Sequence, residues 1–184
     1  MQAIQNAASL SVEDYLAGEL TSEIRHEYIG GLVYAMAGVS SEHNIICLNL
    51  AFALRSHLRG KPCQVFMADV KARLRIADED IFYYPDVMVT CDPRDTERYF
   101  KRFPKLLIEV LSPETERIDR REKFSSYTRI ETLEEYILVA QDTIEVTVFR
   151  RASNWRPEAA NQPQQQLRIP SLDFAFSLSA IYES

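Results

Sequence analysis

Two rhythms of apolar residues run along this chain. His43, Ile46, Cys47, Leu50, Ala53, Leu54 and Leu58 recur at helical spacing, which predicts a long helix packed by one face on a sheet. Ser40 or Ser41 can cap its start, with Glu42 in the first turn, and Gly60 and Pro62 end it. Alternating or unbroken apolar runs predict strands over residues 63–76, 82–90, 106–111, 135–140 and 143–150. Gln141-Asp142 turns between the last two, and residues 78–80 form another turn. Near the N-terminus, residues 1–10 read as a frayed lead-in. Ser11 caps a short helix, and Gly30-Gly31 sits between two short apolar runs as the turn of a β-hairpin. A charged helix should open at Thr115 or Glu116 and run to about residue 130. Residues 92–104 and 154–166 read as loops, the first long enough to act as a partial lid. An edge strand at 167–170 and a helical turn at 178–182 close the chain. Neither repeats nor linker composition interrupt it, so one α/β domain is expected.

At 184 residues, 46% hydrophobic and 26% charged, the chain can bury an ordinary globular core. Its apolar runs fall short of the roughly 18–20 residues of a membrane span, and the first residues lack a secretion-signal pattern. A cytoplasmic location and no membrane partner are the expectation. Cys47, Cys63 and Cys91 are odd in number and set among apolar residues, so they read as reduced core cysteines. They show neither zinc-ligand spacing nor a close His–Cys cluster.

The net charge of −6 argues against a chain coated in positive potential. Residues 94–129 nevertheless hold ten basic and seven acidic side chains, against 21 and 27 in the whole chain. Ion pairing on a solvated helix accounts for part of that excess.

The candidate chemistry lies in the same region. Asp86 and Glu109 each interrupt an apolar run, 23 residues apart. An ionised carboxylate inside a strand is costly unless something cationic meets it. Two on neighbouring strands with a lysine beside them suit a divalent-metal site for phosphodiester hydrolysis. Leu111 stands where a lysine two residues past the glutamate would serve. Lys123, on the next helix, can reach the same space, and Asp119, Lys123 and Tyr127 share one helix face at i, i+4, i+8. Tyr127 reads as a packing residue that hydrogen-bonds Glu109 or Asp119. His43, in the first turn of its helix where the dipole disfavours protonation, can position a water or phosphate or be a satisfied core histidine. His26 and His57 read as surface groups, and Asp69 as a strand residue at the site's margin.

Tyr84-Pro85-Asp86-Val87, Ile108-Glu109-Val110-Leu111-Ser112-Pro113, Thr115, Asp119, Lys123, Tyr127 and Glu135-Tyr136 together resemble the Uma-two family. These are restriction-endonuclease-like proteins of the PD-(D/E)XK superfamily. The likeness extends to Arg25-His26-Glu27-Tyr28, Gly31, Met36-Ala37-Gly38, Ser41-Glu42-His43-Asn44, Cys63, Asp69 and Ser171-Leu172-Asp173. Gly30 departs from it, where the family commonly has an acidic residue. The resemblance implies an α+β, restriction-endonuclease-like fold: a mixed central sheet flanked by helices, preceded by an N-terminal helix and hairpin. It implies Mg²⁺ or Mn²⁺ held by Asp86, Glu109, the Val110 carbonyl and Glu27, the last from a helix-to-strand junction, with Lys123 standing in for the missing lysine. DNA as substrate and a homodimer also follow from it; an exposed strand after Val146, or the apolar end near Phe174-Ala175-Phe176, can form that contact. The acidic net charge leaves two other readings open. One is a catalytically silent module of the same fold that binds nucleic acid or protein. The other is a scaffold whose Glu109–Lys123 pair is only a buried ion pair.

Overall fold

The computed structural model describes residues 9–113 and 115–183. Most of the expected lead-in lies outside the described residues, but Leu10 is fastened, its N–H donating to the Gly31 carbonyl at 3.0 Å. Helix α1 (Val12–Glu19) is capped by the Ser11 side chain, and the hairpin β1 (His26–Ile29) and β2 (Leu32–Ala35) turns at Gly30-Gly31. Both glycines have positive φ, +54° and +96°, which side chains bearing a Cβ rarely adopt. Helix α2 (Ser41–His57) follows, its N-terminus capped by Ser40. Then come β3 (Gln64–Met67), β4 (Lys71–Ile76), β5 (Glu79–Tyr83), β6 (Val87–Thr90), β7 (Phe100–Lys101) and β8 (Pro104–Leu111). A charged helical stretch runs through α3 (Glu116–Ile118), a π-helical turn (Asp119–Lys123) and α4 (Phe124–Tyr127). Strands β9 (Glu135–Ala140), β10 (Val146–Arg150), β11 (Pro157–Ala160), β12 (Gln166–Ile169) and β13 (Phe174–Ser177) precede the closing α5 (Leu178–Ile181).

Among the described residues the strands form three sheets. One has the order β2-β1-β5-β4-β7, the second β11-β10-β9-β8-β6-β3, and β12-β13 pair alone. The second is mixed, since β8 and β9 run parallel while its other neighbours are antiparallel. Its strand β8, buried but for Lys105, alternates two loyalties. Leu106, Ile108 and Val110 join α2 and Leu167 in one core, and Leu107 and Leu111 join Tyr127, Leu133 and Tyr136 in another.

The two long strands expected over 63–76 and 82–90 are each divided between the first two sheets. Ala68, at φ +58°, turns the chain out of β3 before β4 begins. At Tyr84-Pro85-Asp86 it crosses from β5 to β6, because Pro85 lacks the N–H a ladder needs and also restricts Tyr84. The turn expected at 78–80 is made by Ala77 and Asp78, both at positive φ, so Glu79 and Asp80 already belong to β5. Both presumed loops contain strands, β7 in the first and β11 in the second. Strand β11 pairs with β10, so the strand beginning at Val146 is interior and the largely exposed β11 forms the edge of that sheet.

The expectation of three reduced cysteines fails for two of them. Cys63 and Cys91 are disulfide-bonded, with Cα atoms 4.1 Å apart, while Cys47 is free and buried. Their place explains it: Gln64 pairs with Thr90 in the β3–β6 register, so the next step outward sets the two cysteines opposite each other. They are 28 residues apart in sequence, and spacing alone gave no sign of this register.

Candidate active site

The crossing between the two large sheets opens a cleft of about 170 Å³ whose lining includes Glu27, His43, Asp86, Glu109, Asp119 and Lys123. Asp86 stands at the crossing, and β8 fastens it twice. The Val110 N–H donates to its Oδ2 at 2.7 Å, and its own N–H donates to Glu109 Oε2 at 3.3 Å. Glu109 lies on the helix-facing side of β8 and is 2% exposed. Its Oε1 accepts from Lys123 Nζ at 3.1 Å and from the Tyr127 hydroxyl at 3.0 Å. Glu27 enters from within β1 rather than from a helix-to-strand junction, and its Oε1 lies 3.2 Å from Lys123 Nζ.

The π-helical turn explains why one helix can aim three side chains at one point. In an α-helix, an i, i+4 step overshoots a full turn by about 40°. The wider π turn from Asp119 to Lys123 falls short of one, and the two drifts offset across Asp119, Lys123 and Tyr127. Asp119 Oδ1 comes to 3.2 Å from Lys123 Nζ, close enough for Coulombic attraction but without hydrogen-bond alignment, and this buried oxygen has no hydrogen-bond partner among the described residues.

The charges here do not balance. Glu27, Glu109 and Asp119 share the single ammonium of Lys123, all four groups are buried, and Asp86 adds a fourth carboxylate. Burial holds the Glu109 carboxyl well above the usual range, with Lys123 pulling it down and Asp119, Asp86 and Glu27 pushing it further up. Burial likewise raises Asp119. Burial works against the charged form of Lys123, but Glu109, Glu27, Tyr127 and Asp119 outweigh it, and its proton is held well above the ordinary lysine range. The cluster is therefore short of positive charge.

On the α2 side, His43 Nε2 lies 3.3 Å from Asp86 Oδ2. Burial disfavours the imidazolium, but Asp86 outweighs it and the ring's pKa is raised, against the expectation from the helix dipole. Its Nδ1 meets Cys47 Sγ at 3.5 Å. That pairing overturns the expectation of no close His–Cys cluster; the His43–Cys47 spacing of i, i+4 on a helix was the signal.

A second buried network, unforeseen in the sequence, braces the crossing from behind. The Tyr84 hydroxyl donates to Glu19 Oε2 at 2.7 Å and accepts from Lys71 Nζ at 3.0 Å, and the Tyr84 N–H donates to Glu27 Oε1 at 3.3 Å. Glu19 ends α1 and Lys71 begins β4, positions at which a charged side chain gives no sign of burial in the sequence. His26 is half-buried rather than on the surface, with Nδ1 2.8 Å from Glu19 Oε1. His57 is also half-buried, its Nε2 2.9 Å from the Leu172 carbonyl. Asp69 is exposed, pairs with Arg25 and takes no part in the cleft. On the solvent side of the charged helix, Arg117 pairs with Glu122 and Arg120 with Glu116, which uses up part of the local positive excess.

Known proteins share this architecture. A crystal structure of "a putative nuclease belonging to DUF820" from Anabaena variabilis superposes with a TM-score of 0.75 at 17% identity, covering 94% of this chain and 97% of that one. The fold is thus a nuclease-like α+β fold with mixed sheets. Two proteins of Synechocystis sp. PCC 6803, both described as uncharacterized, are similar in sequence. For slr1290 the identity is 35%, with 94% of this chain and 91% of the relative covered. For sll1609 it is 30%, with 84% and 88% covered. The family model described as "Uma2: Putative restriction endonuclease" matches residues 12–180, and the chain belongs to that family.

Proposed function

We propose that this protein is a divalent-metal-dependent endonuclease acting on DNA, with its reaction centre at the sheet crossing. One observation carries the reading: the carboxylates of Glu27, Glu109 and Asp119 converge on one ammonium at the floor of an open cleft with Asp86 beside them, and a buried Asp119 oxygen lacks a hydrogen-bond partner among the described residues. The missing positive charge is what a hard divalent cation supplies, and an all-oxygen donor set suits Mg²⁺ or Mn²⁺. Asp86, Glu109, Glu27 and the Val110 carbonyl would hold it. The ion, when bound, supplies Lewis-acid stabilisation of charge on the phosphodiester and its leaving oxygen.

The chain's own residues do the rest. Lys123 keeps its proton, so it serves as a fixed positive charge that orients water and offsets negative charge on phosphorus. Tyr127 holds Glu109 from the closed side by donating to the oxygen that Lys123 also contacts, and Asp119 fixes Lys123 from its own helix. The Tyr84 network pins the crossing and thereby Asp86. His43, beside Asp86, is placed to meet a phosphate oxygen or water in the cleft. Family membership supports a nuclease-like role, and the resemblance adds a homodimer. Plasmid and single-stranded DNA incubated with Mg²⁺ or Mn²⁺ should be cut by the wild type and left intact by Asp86→Ala and Glu109→Ala. Equal cutting by wild type and both variants would reject the assignment.

A further inference from the structure

We propose that His43, Cys47 and Asp86 form a second metal site, for a softer transition ion such as Zn²⁺, sharing Asp86 with the hard-cation site. One ligand atom from each residue lies within 4.8 Å of the others. Cys47 Sγ is already 3.5 Å from His43 Nδ1, and His43 Nε2 is 3.3 Å from Asp86 Oδ2. Those two contacts use opposite ring nitrogens and one zinc takes a single one, so tetrahedral zinc, whose ligands stand about 3.3–3.7 Å apart, needs the imidazole to turn and the other two ligand atoms to close in from within 4.8 Å.

The donor set selects the ion. A thiolate and an imidazole favour zinc, cobalt or copper over magnesium, whereas the carboxylates next door favour hard ions. The charge also suits a buried place: one thiolate and one carboxylate neutralise a divalent ion, and displaced protons leave to solvent. His43 and Asp86 line the cleft while Cys47 lies one helical turn deeper, so the fourth position faces the cleft and is open to water or a phosphate oxygen. An open fourth position marks reactive rather than purely structural zinc sites. Because Asp86 belongs to both sets, a soft ion here withdraws a ligand from the hard ion, and zinc acts as a competitor of the nuclease reaction. The proposal rests on the nuclease reading only for that consequence; the site itself rests on the three residues.

Co²⁺ alone is the probe. Added to the metal-free, unreduced protein, it should give the strong visible bands of tetrahedral cobalt and a thiolate-to-cobalt charge-transfer band in the near ultraviolet, both removed by one equivalent of Zn²⁺. Cys47→Ala should abolish the charge-transfer band and weaken Co²⁺ binding more than about tenfold, since loss even of outer-shell support costs that much. Glu109→Gln should retain the spectrum while losing cleavage, which separates this site from the hard-ion one. A wild-type spectrum showing only weak octahedral bands overturns the proposal, as does a charge-transfer band unchanged in Cys47→Ala. The wild-type spectrum decides the matter even should the variant fail to fold.

Discussion

Replacing Lys123 with methionine keeps most of the side chain's volume and removes the one ammonium that Glu27, Glu109 and Asp119 share. Breaking a buried ion pair from one side costs about 3–5 kcal/mol, because the remaining charge is left uncompensated. Here three carboxylates are left, so they escape the cost by binding protons. Glu109 and Asp119 are already held above their ordinary values of 4.5 and 3.8 by burial, and Lys123 is what pulls them down. Without it their folded pKa values rise further. A carboxylate with a raised folded value stabilises most below its unfolded value and loses that contribution as pH climbs through the folded one. The variant's deficit must therefore widen once pH passes the wild type's own raised folded values, by about 1.4 kcal/mol per pH unit for each extra proton it keeps. Lys123's own contribution, from a raised pKa, stays constant in this window because it fades only above the ordinary lysine value of 10.5. Urea unfolding of both proteins at pH 5, 7 and 9, followed by fluorescence of the single Trp155, measures the difference. A deficit that is the same at all three pH values, or under about 1 kcal/mol throughout, refutes the claim that Lys123 compensates a surplus of buried carboxylates.

Two further outcomes follow from neighbouring geometry. Tyr127→Phe deprives buried Glu109 of one donor and should cost about 1–3 kcal/mol in urea unfolding while slowing cleavage without abolishing it, and a wild-type midpoint would contradict the contact. The Cys63–Cys91 bridge closes a 28-residue separation, so Cys63→Ser, or a reductant, should lower stability by about 3–4 kcal/mol on chain-entropy grounds. Identical unfolding with and without reductant would show that the bridge does not form.

What was legible in the sequence follows from which interactions are local. The α2 stripe, the Gly30-Gly31 hairpin and the apolar run of β8 are set by neighbours along the chain, and their places were readable. Glu109 stood out because a carboxylate inside an unbroken apolar strand demands a partner, and Lys123 with Tyr127 is where that partner is found. The division of two strands between sheets was hidden: alternation continues through Ala68 and Pro85 although hydrogen bonding changes partners there. The disulfide and the Glu19–Tyr84–Lys71 network depend on register across the fold, which spacing along one chain does not encode. The π turn was likewise invisible: it lies where Lys123 meets Glu27 and Glu109 on other elements, which local sequence does not encode.

The most direct test of the central claim is calorimetric titration of Mn²⁺ into the metal-free protein, wild type beside Glu109→Gln, with Co²⁺ and Zn²⁺ excluded. Saturable binding at one site per chain in the wild type, accompanied by a rise in unfolding midpoint and absent from Glu109→Gln, is the predicted result. No binding heat in the wild type, or equal affinity in the variant, would mean that the carboxylates at the sheet crossing hold only Lys123 and no ion.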